Sequence, residues 1–208
     1  MLAERRITTE LMDDAALAPE TYSAVLADLA KVNTVTMAAR PTLRFLDQAV
    51  GKCSQFTLLD VGYGHGDMLR KIAQWAQNRG ITARLIGIDL NPGSEVAARR
   101  MTDPEWPIRY VTGDYADFTN ERFDCVVSSL VAHHMTQDEL LRFLRFMEAR
   151  TERGWFVNDL HRHSLSYLGY PILARIMGWH PIVRQDGQTS IARAFRPAEW
   201  RTLLAAAG

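Results

Sequence analysis

The residues best placed to do chemistry stand in Asp60-Val61-Gly62-Tyr63-Gly64-His65-Gly66-Asp67, where an acid is followed by glycine at every second position. Apolar Phe56–Leu59 precedes this run, and Met68, Leu69, Ile72, Ala73 and Ala76 follow it at helical spacing. The pattern predicts a strand, a tight loop and a helix N-terminus, which is how α/β proteins hold nucleotide-like ligands. Spacing narrows the ligand. A dinucleotide fingerprint needs glycine at its first, third and sixth positions. Gly62 and Gly64 fit, but the sixth position is Asp67 and the third glycine, Gly66, is fifth. This disfavours an NAD-dependent dehydrogenase.

Three other groups could take part. Asp89 closes the apolar run Leu85–Ile88. An acid there can accept hydrogen bonds from both hydroxyls of a ribose; the competing role is to cap the next helix, for which Ser94 is another candidate. Asn158-Asp159-Leu160-His161-Arg162-His163 follows a later apolar run. A neutral histidine could deprotonate a phenol or another hydroxyl. In extended chain His161, His163 and Asp159 share one face, so the two histidines are the catalytic candidates and Asp159 their orienting acid. His133 and His134 are adjacent. Neighbours on one turn are expected to face different ways, and no His-x-x-x-His spacing accompanies them, so no metal site is expected.

These groups need elements to position them. Residues 9–50 read as helical, with Pro19 opening one helix and Pro41 another, and Gly51 ending it. From Phe56 onward, strands at 56–59, 85–88, 108–111, 125–128 and 155–157 alternate with helical patterns. Thr136 and Glu139 form a capping box, and the helix they open carries acids at its start and arginines at its end, matching its dipole. Five strands separated by helices imply a parallel, doubly wound, Rossmann-like sheet. The division expected is a helical cap at 1–50 and an α/β domain at 51–208. Ligands of such sheets sit beyond the carboxyl ends of the strands.

Taken in order, these features resemble class I S-adenosylmethionine-dependent methyltransferases. The acid-x-Gly-x-Gly-x-Gly pattern resembles their first motif, the acid of Ile88-Asp89-Leu90 their ribose-binding acid, and Gly113-Asp114-Tyr115 the stretch that receives the adenine. Phe123–Met135, with Ser128, Ser129 and the paired histidines, resembles their fourth-strand motif, which lines the sulfonium and methyl side. The resemblance implies S-adenosylmethionine as cofactor. It implies contacts from Asp60, to the methionine amino group, and from Gly62, Tyr63, Gly64, Gly66, Asp89, Leu90, Gly113, Asp114, Tyr115, Ser128, Ser129 and His133. The segments Thr8–Asp14 and Val157–His163, with the apolar insertion at 165–180, are similar to bacterial enzymes of small aromatic or polyketide-type natural products. That likeness implies O-methylation of a small acceptor roofed by Tyr167, Tyr170, Met177 and Trp179 of the insertion and by Tyr22 of the cap. In the family two further strands, the sixth and seventh, follow the point at which this sequence ends.

Composition bounds the alternatives. The 208 residues, 47% of them apolar, suit one domain. Acids and bases balance at 24 each, so no global field favours nucleic acid, and a transfer-RNA methyltransferase is disfavoured. A protein methyltransferase and a non-catalytic cofactor-binding subunit remain as alternatives. Two distant cysteines, no membrane-spanning run and no signal-like N-terminus predict a reducing cytoplasm. A monomer or homodimer is expected.

Overall fold

The computed structural model describes residues 2–14 and 16–208. Its centre is a five-stranded sheet of β1 (Gln55–Val61), β2 (Thr82–Asp89), β3 (Ile108–Thr112), β4 (Phe123–Ser129) and β5 (Thr151–Asn158). The order is β3-β2-β1-β4-β5, and every pairing is parallel. The helices are α1 (Pro19–Val35), α2 (Ala39–Ala49), α3 (Asp67–Asn78), α4 (Pro92–Arg100), α5 (Gln137–Arg150), α6 (Ser164–Ile176), α7 (Pro181–Arg193) and α8 (Pro197–Ala207). This is the Rossmann-like fold expected from the alternating pattern. Among the described residues the sheet has five strands.

Both faces of the sheet are covered, which is why its central strands read as apolar runs rather than alternating ones. On one face Phe56, Leu58, Leu85 and Val127 meet Leu46 of α2 and Leu69, Ile72 and Ala76 of α3. On the other, Leu59, Val61, Ile86 and Val126 meet Leu140, Phe143, Leu144 and Met147 of α5 and Leu203 of α8. The expected capping box opens α5: Thr136 Oγ1 accepts the Glu139 amide, and the Glu139 carboxylate accepts the Thr136 amide. Pro19 is the first residue of α1, whereas Pro41 lies two residues inside α2.

The N-terminal segment departs from expectation. Before α1 the only helix among the described residues is a single 3₁₀ turn at Leu11–Asp13. A tertiary contact holds it: the Asp186 carboxylate accepts the amides of Leu11 and Met12, each at 2.9 Å. Four arginines strap this segment to the C-terminal helices. Arg162, 1% exposed, donates to Leu2 O, Ala3 O and Ala194 O and pairs with Glu199 at 2.6 Å. Arg196 donates to Leu2 O. Arg5 stacks on Phe195 and donates to Arg193 O, and Arg193 donates to Thr8 O. In α6, Pro171 cannot donate to Tyr167 O; Gln188 of α7 donates to that carbonyl instead, at 3.0 Å.

Candidate active site

Topology puts the site where the chain reverses direction across the sheet, beyond the ends of β1, β2 and β4. A cavity of about 620 Å³ opens there, within the range of roughly 300–1,000 Å³ that holds small ligands. The glycine loop forms its floor. Gly62, Gly64 and Gly66 have φ of 77°, 51° and 74°, a region most side chains avoid. A Cβ on Gly62 would collide with Val131. A Cβ on Gly64 would meet only Leu26, at 3.7 Å, so this residue leaves room above the backbone. Gly66 is set back from the cavity, where a Cβ would strike the Tyr110 hydroxyl; it serves the packing of α3.

The acids differ in how they are satisfied. Asp89 ties the loop to the end of β2, since its two oxygens accept the amides of Gly64 and Asn91, each at 2.9 Å. Asn91, not Asp89 or Ser94, caps α4. Burial pushes the Asp89 carboxyl up, against these hydrogen bonds. Asp60 has no such relief. It is 1% exposed, and neither carboxylate oxygen has a hydrogen-bond partner among the described residues. Burial first, then the charges of Asp67 and Asp89, push it up to about 8. An orphaned acid facing a ligand cavity is a receptor for a cation. Asp114 accepts the Ala116 amide and caps the turn at Tyr115–Phe118. Leu90, Gly113, Asp114, Tyr115 and Ser129 also line the cavity, as does Tyr63, whose ring packs on Tyr110 and Gly87. Ser128 does not: it is buried between β1 and β4 and donates to Val61 O at 2.9 Å.

A polar cluster closes the opposite end. Asp159 accepts the His133 amide and its Nδ1, both at 2.7 Å. His133 Nε2 lies 3.6 Å from Glu10 Oε1, and His134 approaches Glu10 at 3.7 Å and Asp13 at 3.3 Å. Arg193 Nη1 lies 3.7 Å from Glu10 and 3.6 Å from Asp13, and Ser190 donates to Glu10 at 2.8 Å. Burial pulls His133 down, but Asp159 and Glu10 overcome it and hold its pKa at about 9. Glu10 is held below the usual range by its histidine neighbours despite burial.

Four expectations are corrected here. His161 and His163 are exposed, lie outside the cavity and pack on each other; His163 accepts the Leu165 amide to cap α6. Asp159 orients His133 instead of either of them. His133 and His134 do not diverge: their side-chain torsions bring the ring centroids within 4.3 Å, and both rings face Glu10. Glu10, His133 and His134 offer ligand atoms within 4.8 Å of one another, a set that could hold a metal ion, although Arg193 and Ser190 already compensate the carboxylate. Finally, Tyr22 and Tyr170 line the cavity, with their hydroxyls bonded to Ser94 Oγ and Val183 O. Tyr167, Met177 and Trp179 do not line it, because α6 packs on α7 through Ala174 and buries Trp179 with Val25 and Val183.

Sequence reasoning missed Glu10, Asp13, Asp186, Ser190 and Arg193. For Glu10 and Asp13 the one signal was the likeness of the Thr8–Asp14 segment; Asp186, Ser190 and Arg193 carried none.

Residues 58–154 match the family model described as a methyltransferase domain. No curated protein matches the chain. Among solved structures it is similar to the plantazolicin methyltransferase BamL in complex with a triazolic desmethylPZN analog and SAH (S-adenosylhomocysteine). The TM-score is 0.68 and the identity 14%, over 90% of this chain and 67% of that one. Plantazolicin methyltransferase BpumL with a pentazolic analog and SAH gives 0.63 and 14%, over 90% and 75%. Magnesium protoporphyrin IX methyltransferase (ChlM) from Synechocystis PCC 6803, with bound SAH, gives 0.56 and 16%, over 95% and 80%. The likeness is one of fold, and the chain spans about two thirds of the BamL chain.

Proposed function

We propose that the chain, whose residues 58–154 match a methyltransferase-domain model and whose fold is that of solved methyltransferases, is a class I S-adenosylmethionine-dependent methyltransferase that methylates an ionisable hydroxyl of a small aromatic or polyketide-type acceptor. One observation carries the reading: a single cavity joins the glycine loop and orphaned Asp60 to the cluster of Glu10, His133 and His134. The residues present fit the cofactor. Asp60 would take its ammonium, Gly64 would admit its backbone-close portion, and the free lone pairs of Asp89 would take the ribose hydroxyls. Gly113, Asp114 and Tyr115 would flank the adenine. When bound, the cofactor supplies an electrophilic methyl group on a sulfonium.

The chain's own residues then act on the acceptor. Leu26, Leu29, Tyr22 and Tyr170 line the cavity and exclude water from the reacting oxygen. His134, 29% exposed on the cavity wall, takes the hydroxyl proton on a ring nitrogen. Glu10 and Asp13 stabilise the imidazolium it becomes. Asp159 fixes His133, which stays charged and holds Glu10 in place. The deprotonated oxygen then faces the end of the cavity where the cofactor, held by Asp60 and Asp89, would supply the methyl carbon and keep the bonding electron pair on its sulfur.

The test is a transfer screen with methyl-labelled cofactor against phenols, enolic polyketides, amines and transfer RNA. Label is expected on a phenolic or enolic oxygen, with His134→Asn lowering kcat while the acceptor hydroxyl is protonated and the loss shrinking as that hydroxyl ionises at higher pH. Transfer to amines alone, or an unchanged His134→Asn profile, would overturn the oxygen reading.

A further inference from the structure

Helix α6 presents a surface that the fold does not use. Leu165, Leu168, Ile172 and Ile176 follow one another at spacings of three and four, so they share one helix face. They are 75%, 63%, 64% and 77% exposed. The opposite face does the packing, through buried Ala174 and through Tyr170, which donates to Val183 O at 2.8 Å. The Gln188 bond to the carbonyl under Pro171 fixes the helix further. Single exposed leucines need no explanation. A row of four on one anchored helix does.

The charges around the row have one sign. Residues 160–185 contain no Asp or Glu, in a chain whose acids and bases balance. Arg175 flanks the row on the Leu168 side; it is exposed and makes no ion pair among the described residues. Arg184 on α7 makes none either, and exposed His161 and His163 stand at the start of α6. Asp186, the first acid after this stretch, is buried on Leu11 and Met12. No helix among the described residues is long and apolar enough to cross a membrane. A short helix with an apolar row and a cationic, acid-free border suits the interfacial plane of a bilayer.

We propose that α6 docks the protein on the surface of an anionic lipid bilayer. The row enters the boundary between headgroups and acyl chains, while Arg175 at its edge meets lipid phosphates. The docking is independent of which acceptor the cavity takes.

Co-flotation of the full chain with vesicles tests this, using phosphatidylcholine alone and phosphatidylcholine with phosphatidylglycerol. Binding is expected on the anionic vesicles. Ile172→Gln and Ile176→Gln should each weaken it about tenfold or more, from the lost apolar burial. Arg175→Gln should weaken it about fivefold on anionic vesicles only. Circular dichroism and SAH affinity should be unchanged in all three. No flotation of the parent chain, or flotation indifferent to all three variants, overturns the proposal. So does a concentration-dependent dimer in sedimentation velocity that Ile172→Gln abolishes, since the row is then an interface between copies.

Discussion

The orphaned carboxyl of Asp60 makes a pH dependence that can be worked out before it is measured. Free in the protein, Asp60 holds a proton below about pH 8. The amino group of SAH, beside its own free carboxylate, keeps its proton to higher pH than that. The bound pair shares one proton, as ammonium and carboxylate. Below about pH 8 binding must therefore release the Asp60 proton. This titration makes affinity about 50-fold weaker at pH 6 than at pH 8. Asp60→Asn removes the protein's half of the linkage. Its affinity should be lower than the parent's at pH 8 and nearly flat on the acid side. The same variant should stabilise the ligand-free protein at pH 8. Asp60 has a folded pKa above its unfolded value, so its favourable contribution is complete below about pH 3.9 and lost as pH rises through about 8. Isothermal calorimetry of SAH binding at pH 6, 8 and 10, with thermal melts of both proteins, supplies the readouts. A parent affinity that is flat from pH 6 to 8, or a variant that keeps the parent's slope, would refute the reasoning.

Three further outcomes follow from other contacts. Asp89→Ala leaves the Gly64 and Asn91 amides without their acceptor, so SAH affinity measured by calorimetry should fall about tenfold or more. His133 has a folded pKa near 9, above its unfolded value of about 6.5; its stabilisation is complete below about pH 6.5 and lost as pH rises through about 9. Denaturant unfolding should show stability falling by up to about 3 kcal/mol between pH 6 and 10, with His133→Asn flattening the curve. Arg162→Met leaves three carbonyls and Glu199 without their partner, and should cost about 3 kcal/mol or more. In a chain of this length that is a drop of about 6–12 °C in Tm by calorimetry.

The half of the site that holds the cofactor was legible because it is local. Asp60 through Gly66 lie within one loop, and Asp89, Asp114 and Ser129 each close or follow a strand whose apolar run announced it. Alternation fixed faces less well: Ser128 and Ser129 are neighbours, and only Ser129 reaches the cavity. The acceptor end was not legible, because its partners come from separate stretches, Glu10 and Asp13, the paired histidines, Asp159, and Ser190 and Arg193, that only the fold brings together. Asp159 stands beside His161 and His163 along the chain, yet its hydrogen bonds go to His133, on the loop after the neighbouring strand β4. Residues 9–50 read as helical throughout, yet before Pro19 the described chain forms only the 3₁₀ turn at Leu11–Asp13, whose first amides the distant Asp186 carboxylate accepts. Met177 and Trp179 looked like pocket residues because large apolar side chains line pockets and cores alike; here the contacts with Val25 and Val183 decided for the core where Trp179 sits.

The strap across the N-terminal segment also sets an order of assembly during synthesis. Leu2, Thr8, Glu10 and Leu11 leave the ribosome long before their partners Arg162, Asp186, Ser190, Arg193 and Arg196. The glycine loop and its flanking strands pair with nearer neighbours and can form earlier. Contacts of such sequence separation must wait for long loop closure. The cofactor half of the cavity can thus take shape on the growing chain while the wall that faces the acceptor is still missing. That wall closes only once Ser190 and Arg193 have emerged.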